Sequence, residues 1–363
     1  MARRISGAQL QVATLMPGLP GNSTADGMIQ LSAYARRPFY DPKDGQSYVI
    51  VPTGTANDNG DPEYARLSVN ATALLQYEEW LDIDRAVIAA ALQRLTGIAD
   101  LQAKGLTHTL GSIGQTISLW DRQSSMTPAE ISMSAVTRGE KDTPAYSPQS
   151  VPVPIVHKEF GLELRRLEAS RRFGESLDVT GAQIAGRNVA EKSEQMLFSG
   201  ASIQVNGATI YGYLNHPDRN TVTLSMNWDN PSKTGALIYA DVAAMLSASR
   251  LQRHFGPFTL YVPTGYEGSL DSDYRAQDPR TVRQRLLAIN GIQNIEVADF
   301  LPANTVVLVQ MTSDVVDLAV AQDVTTVQWA VMGGMQEEFK VMAIWVPRIK
   351  SDFDGRSGVT VLS

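Results

Sequence analysis

A chain of 363 residues with 43% hydrophobic content is long enough for two or three domains with real cores, and its lack of cysteine excludes disulfides, thiolate metal sites and cysteine nucleophiles. The formal charge of -7, from 31 basic and 38 acidic residues, supplies no overall basic footprint for wrapping a nucleic-acid backbone. The start, MARRISGAQLQVATLMPGLPG, is basic but has no apolar core of signal-peptide length, and no run of about 18 apolar residues occurs elsewhere, so we expect a soluble chain not exported by a signal peptide.

Residues 1–72 are rich in Gly, Pro, Asn, Asp and Ser, with turn signals at Pro42, Gly45 and Asn59-Gly60. Tyr34, Phe39, Tyr40, Tyr48 and Tyr64 recur among them and need a surface to cover, which predicts an irregular arm draped over something. From Tyr77 to Leu101 the spacing changes. Trp80, Ile83, Val87, Ala91, Leu95 and Ile98 fall on one helical stripe, and Glu78, Glu79, Asp82 and Asp84 crowd the end where the helix dipole favours carboxylates. This reads as a packed amphipathic helix, or as one that docks a neighbouring subunit or internal cargo. Glycines at 105, 111 and 114 fit no phosphate-loop or dinucleotide spacing and are read as turns.

Two extended runs, AEISMSAVT and VPVPIVHKEFGLELRRLEASRR, lie between Ala129 and Arg172 around the polar tip RGEKDTPAYSPQS. Alternation at Ile131, Met133 and Ala135, and at Phe160, Leu162 and Leu164, predicts a two-stranded projection. A hairpin of that kind is marginal alone and needs a neighbour to lie on. Asp178–Gly200 then forms the longest helical stretch of the second half, capped by Asp178, with Val179, Ala182, Gly186, Val189, Ser193 and Met196 on one face. That face is small, so something must approach its backbone closely. Asn206-Gly207 predicts a tight hairpin, IYADVAAMLSASRLQRHFGP a helix stopped by Gly256-Pro257, FTLYV a strand, and Asp278-Pro279 the start of another helix before strands at IQNIEV and TVVLVQM. The last fifty residues are almost continuous strand signal, which pairs with distant segments and implies a discontinuous domain.

No catalytic constellation emerges. His108, His157, His216 and His254 are scattered without metal-ligand spacing, and no Gly-x-Ser-x-Gly elbow occurs. The close carboxylate pairs Asp271/Asp273 and Glu337/Glu338 are what 38 acidic residues produce by chance. No catalytic, cofactor-binding or metal-binding residue is therefore expected. The concentrated basic feature is Arg165, Arg166, Arg171 and Arg172, read as an edge that pairs with acidic groups of another subunit rather than a merely solvated one.

The succession of parts carries more than any residue. EEWLDIDRAVIAAALQRL, EFGLELRRLEASRRFGESLDVTGAQIAGRNVAEKSEQMLFSG, IYGYLN, GPFTLYVP and DLAVAQDVTTVQW, in this order, resemble the major capsid proteins of tailed phages. Encapsulin shells share that Hong Kong 97-type fold. The resemblance covers roughly residues 75–363 and implies an α+β fold with an N-terminal arm (1–76), an amphipathic helix and connector (77–128), an extended E-loop (129–172), a discontinuous P-domain (173–235 and 312–363, spine helix about 178–198) and an A-domain (236–311).

It further implies a structural protein, not an enzyme and without cofactors. Copies would assemble into pentamers and hexamers of an icosahedral shell in the host bacterial cytoplasm, as part of a virion. Its partners would be further copies, decoration, scaffold or portal proteins, and packaged double-stranded DNA held without sequence-specific binding, with no membrane involved. Intersubunit contacts are expected at Arg165, Arg166, Arg171, Arg172, Lys141 and Trp80. Some capsids of this type cross-link an E-loop lysine to an asparagine of another subunit; Lys141 at the tip and Lys158 on the returning strand are read as ordinary solvated lysines. An encapsulin compartment enclosing a cargo enzyme is the alternative, and a soluble enzyme of unknown reaction the alternative from another class. The 72-residue arm, longer than a simple encapsulin needs, favours the phage reading.

Overall fold

The computed structural model describes residues 39–41, 46–56, 62–69, 77–93, 95–124, 126–134, 136, 139, 141–167, 179–205, 207–275, 278–331 and 335–363. They belong to two compact units. The first takes residues up to Ala89, Glu159–Ala185 and Thr326–Val341; the second takes Ala90–Lys158, Gly186–Thr325 and Met342–Ser363.

In chain order the strands are β1 (Phe39–Asp41), β2 (Gln46–Ala56), β3 (Pro62–Val69), β4 (Thr107–Thr109), β5 (Ile117–Gln123), β6 (Tyr146–Pro152), β7 (Ile155–Glu163), β8 (Ala201–Val205), β9 (Ala208–Ile210), β10 (Asn220–Val222), β11 (Phe258–Val262), β12 (Asp273–Arg275), β13 (Asp278–Thr281), β14 (Ile292–Val297), β15 (Val306–Gln310), β16 (Val316–Val331), β17 (Gln336–Ile349) and β18 (Val359–Leu362). The helices are α1 (Tyr77–Leu92), α2 (Gly97–Ala103), α3 (Thr180–Ser199), α4 (Gly235–Leu251), α5 (Glu267–Asp271) and α6 (Val282–Leu287).

In the first unit, β1, β2 and β3 form an antiparallel meander. The segment reads as irregular in sequence because the Pro, Gly, Asn and Asp of 42–45 and 57–61 interrupt the strand-forming runs. Phe339 is fully buried, stacked on Phe160 at 4.9 Å between ring centroids, with Trp80 tilted against it at 6.2 Å. Lys340 pairs with Glu159 at 2.7 Å and lies over the Trp329 ring. A Cβ at Gly181 would come within 3.1 Å of the Phe160 ring. The first turn of α3 thus contains a residue whose smallness lets an aromatic ring approach, the kind of close neighbour its glycines demanded.

In the second unit, a five-stranded sheet runs β10-β18-β15-β11-β14. Strand β11 lies inside it, between β15 and β14, and is buried throughout, as the largely apolar run FTLYV requires of a strand covered on both faces. Ile238, Val242, Met245 and Leu246 of α4 share one core with Phe258, Leu260, Val262, Leu286, Ile295, Val306, Leu308 and Leu362. The C-terminal strand therefore joins the sheet built from 236–311, paired antiparallel with β15 and parallel with β10. Strands β8 and β9 form the hairpin predicted around residue 207, and Gly207 takes the left-handed conformation such a turn needs.

Three boundaries differ from the sequence reading. The stripe Ile83, Val87, Ala91, Leu95 and Ile98 is buried as expected, but it is shared between two helices, α1 ending at Leu92 and α2 starting at Gly97, with Leu95 between them. Helix α6 begins at Val282, not at Asp278-Pro279: Thr281 and Gln284 form a reciprocal capping box, while 278–281 pairs with β12. The outgoing strand of the projection is Ile117–Gln123, paired antiparallel with Tyr146–Pro152, and 129–134 forms no strand. The returning residues 155–163 instead enter a four-stranded sheet of order β4-β16-β17-β7.

Candidate assembly interface

Helix α3 buries Ala182, Ala185, Gly186, Val189, Ala190, Ser193, Glu194 and Leu197. Asp178, expected to cap it, lies outside the described residues. The other end is described in full. Gly200 takes φ +73° and donates to the Met196 carbonyl at 2.9 Å, a left-handed stop. The orphan carbonyls of Leu197 and Phe198 then accept from the amides of Tyr213 and Leu214, at 3.0 and 2.8 Å. Gly212 makes the approach possible, and Asn215 Oδ1 accepts from its amide at 2.6 Å. The stretch Gly-Tyr-Leu-Asn is therefore the C-terminal cap of the long helix. Tyr213 is fully buried beside Phe198 and Tyr261.

Glu194 explains the break between α1 and α2. Its carboxylate accepts from the amides of Gly97 at 3.2 Å and Ile98 at 2.9 Å, serving as an N-cap supplied from another helix. Burial pushes its pKa up to about 7 in spite of those bonds. The folded state thus holds the proton more tightly than the unfolded chain, and the associated stability, full below pH 4.5, is lost as pH rises towards 7. A shift of that size corresponds to about 3 kcal/mol. We expect the melting temperature to fall between pH 5 and pH 8 and the dependence to flatten in Glu194→Gln; identical pH profiles for the two proteins would contradict this.

The β5–β6 hairpin is held through one face of β5. Ser118, Trp120 and Arg122 alternate along the strand and so point the same way. Ser118 Oγ accepts from Arg348 at 3.1 Å, and the Arg348 guanidinium lies over the Trp120 ring. Arg348 and Asp317 make a bidentate pair at 2.6 Å, their side chains only 4% and 8% exposed, and Lys350 adds a contact to Asp317 at 2.7 Å. Arg122 bonds Asp218 and the chain at Ser351–Asp352. On the other face Leu119 is exposed. Between the strands, the described residues of 124–145 form no helix or strand, and Met126, Ile131, Met133 and Val136 all stand in solvent.

The sequence matches, over residues 70–362, the family described as "Family of unknown function (DUF6260)". The chain belongs to this family. Among solved structures this DUF6260 member resembles the virus-like particle from Pyrococcus furiosus, with a TM-score of 0.57 and 20% identity over 79% of this chain and 99% of that one. It also resembles the capsid of Myoviridae phage XM1, with a TM-score of 0.55 and 10% identity over 73% of this chain and 91% of that one. Its fold is the Hong Kong 97-type capsid fold. In sequence it is 27% identical over 284 residues to the type 1 encapsulin shell protein EncA of Myxococcus xanthus (strain DK1622), covering 76% of this chain and 90% of that protein. A diheme-cytochrome-encapsulin shell fusion protein of Kuenenia stuttgartiensis is 25% identical over 316 residues, covering 85% of this chain and 81% of that protein.

The described residues singled out from the sequence of this DUF6260 member lie in both units. Trp80 is half-buried against Phe339, and Lys141 is exposed in the hairpin tip. Arg165 and Arg166 are exposed on a helical turn at 164–167 rather than on an extended segment; Arg171 and Arg172 lie outside the described residues. His216 is buried, His254 half-buried, and His108 and His157 exposed. Among the described residues no cluster of three or more His, Asp or Glu is placed to hold a metal, and no helix is long and apolar enough to cross a membrane. Sequence reasoning missed Glu194, Ser118, Arg122, Asp218, Asp317 and Arg348. A signal existed for two of these: Asp317 and Arg348 interrupt apolar strand runs, and a charge at a buried register requires a partner.

Proposed function

We propose that this chain is a structural shell subunit, the major capsid protein of a tailed phage, whose copies self-assemble as pentamers and hexamers around packaged DNA. The observation that carries the reading is the β5–β6 hairpin, rooted by buried ion pairs and ending in exposed Met126, Ile131, Met133 and Val136. A tip of that composition is ordered by lying on another copy, because apolar side chains projecting from a hairpin that is marginal alone gain by burial at about 25 cal/mol per Å². The domain boundaries named from sequence go with this proposal, as do intersubunit roles for the exposed arginines and Lys141. The chain acts by assembling, without enzymatic chemistry, within a virion formed in the bacterial host.

An encapsulin-type compartment is the second reading, favoured by the two curated shell relatives. Electron microscopy of the expressed protein tests the shell itself: closed particles are expected, and a persistent monomer at high concentration would reject both readings. Purified native particles then divide them, since double-stranded DNA in the lumen supports the capsid and a co-purifying enzyme the compartment. The double substitution Ile131→Ser with Met133→Ser is expected to abolish particles while leaving the subunit's melting temperature within about 2 °C, as for exposed sites. Normal particle yield from that variant would show that the tip is not buried on assembly.

A further inference from the structure

We propose that Arg122 is a positioning latch: it sets the angle at which the β5–β6 hairpin leaves the body, and thereby where the tip meets the next copy. The inference rests on the shell reading above, and concerns how that interface is aimed rather than whether it exists.

Arg122 sits toward the outer end of β5, four residues beyond Ser118 on the same face. Its guanidinium donates to Asp218 Oδ2 at 2.9 Å, to Ser351 Oγ at 2.5 Å, and to the carbonyl oxygens of Ser351 at 3.1 Å and Asp352 at 2.7 Å. Ser351 Oγ in turn donates its proton to Asp218 Oδ2, so two of the arginine's acceptors are also tied to each other. One planar fork thereby ties three segments: the hairpin strand, the loop just after the Gly-Tyr-Leu-Asn cap, and the exit of β17. Both other segments are themselves anchored, the loop through the end of α3 and the exit through Lys350, whose ammonium reaches Asp317 and the Ser313 carbonyl.

The attachment points along β5 are graded. Ser118 is fully buried beneath Arg348, whereas the Arg122 side chain is 21% exposed and its partner Asp218 27%. Water therefore reaches the outermost tie first. Beside it is an open cleft of about 430 Å³ lined by Trp120, Arg122, Gln149, Tyr211, His216 and Ser351. Close-packed side chains would hold the hairpin whether or not Arg122 were bound; an open space leaves room for it to tilt. A tie that is partly wet and spans several segments beside an open cleft suits a residue that fixes an angle. The deep pair Arg348–Asp317 suits one that keeps the fold together.

The test compares the full-length wild-type chain with Arg122→Ala and Arg122→Lys by hydrogen exchange and electron microscopy. Arg122→Ala is expected to stay folded, to exchange the amides of 117–123 and 146–152 about tenfold faster while leaving the core of α4 and β11 unchanged, and to give particles of broadened diameter. Arg122→Lys keeps the charge but loses the fork, so it should restore protection only in part. Unchanged exchange in the hairpin together with unchanged particles would overturn the latch. Should Arg122→Ala fail to fold, Asp218→Asn, which preserves volume and leaves the carbonyl acceptors in place, must show the same local acceleration; its absence also overturns the proposal. Wild-type chain that forms no particles rejects the shell reading, and the exchange comparison still decides whether Arg122 holds the hairpin.

Discussion

Gly212→Val is expected to leave essentially no folded subunit. A Cβ at this position would lie 2.6 Å from both the carbonyl carbon and the carbonyl oxygen of Phe198, and against the amide nitrogen of Gly200. These neighbours are backbone atoms, so no side-chain rotation relieves the clash. Relief requires the cap to withdraw from α3, which breaks the bonds from Tyr213 to Leu197 and from Leu214 to Phe198 and leaves buried carbonyls unpaired. Overpacking in a core costs about 1 to 3 kcal/mol where side chains can yield. With rigid neighbours and lost cap bonds added, we expect at least about 4 kcal/mol, a large share of the 5 to 15 kcal/mol that typically separates folded from unfolded domains. Soluble yield and a thermal melt provide the measurement. A soluble protein melting at the wild-type temperature would show that the cap is not needed to end the helix.

The second large effect is expected at Asp317. Replacing it by alanine leaves Arg348 buried without its bidentate partner and removes one of the two acceptors of Lys350, leaving the Ser313 carbonyl. Breaking a buried pair from one side typically costs about 3 to 5 kcal/mol, because the remaining charge keeps its desolvation penalty and loses its compensation. The same reasoning gives a sign that simple contact counting would miss. Replacing both partners, Asp317→Leu with Arg348→Met, should recover much of the loss, since the penalty of burying either charge then disappears. Denaturant midpoints of the single and double variants measure this. A double variant less stable than Asp317→Ala would mean that the pair itself, with the Ser118 and Trp120 contacts Arg348 makes, contributes net stability to the root of the hairpin.

Much of the fold was legible because local patterning and burial agree. The stripe Ile83, Val87, Ala91 is buried because a helical period placed it on one face, FTLYV is an interior strand buried on both faces because it is largely apolar, and residues 201–210 turn where glycine tolerates a left-handed backbone. The misreadings share a cause. At 129–137 the alternation looked like a strand, yet the partner of β6 is Ile117–Gln123, whose less regular pattern reflects a strand held by one face and open on the other. At Asp278-Pro279 a sound start signal yielded to strand pairing with β12, and the competing Thr281/Gln284 box took the helix start.

The long stretch between Val179 and Gly200 illustrates where the division falls. Sequence alone determined that a helix forms there, that its buried face is small, and that it ends at glycine, since these follow from periodicity and from the conformations each residue tolerates. It likewise determined the order of parts by which a shell subunit is suggested. Only the tertiary structure decided what meets that face: Phe160 over Gly181, the Gly-Tyr-Leu-Asn loop over the last turn, and Glu194 reaching from it to cap α2. Those partners lie from about a dozen to nearly a hundred residues away; Arg122 and Asp218 are 96 residues apart, and Ser118 and Arg348 are 230. A single sequence records which residues are charged or small, but pairings between distant segments are fixed by the sheets and helices that bring them together.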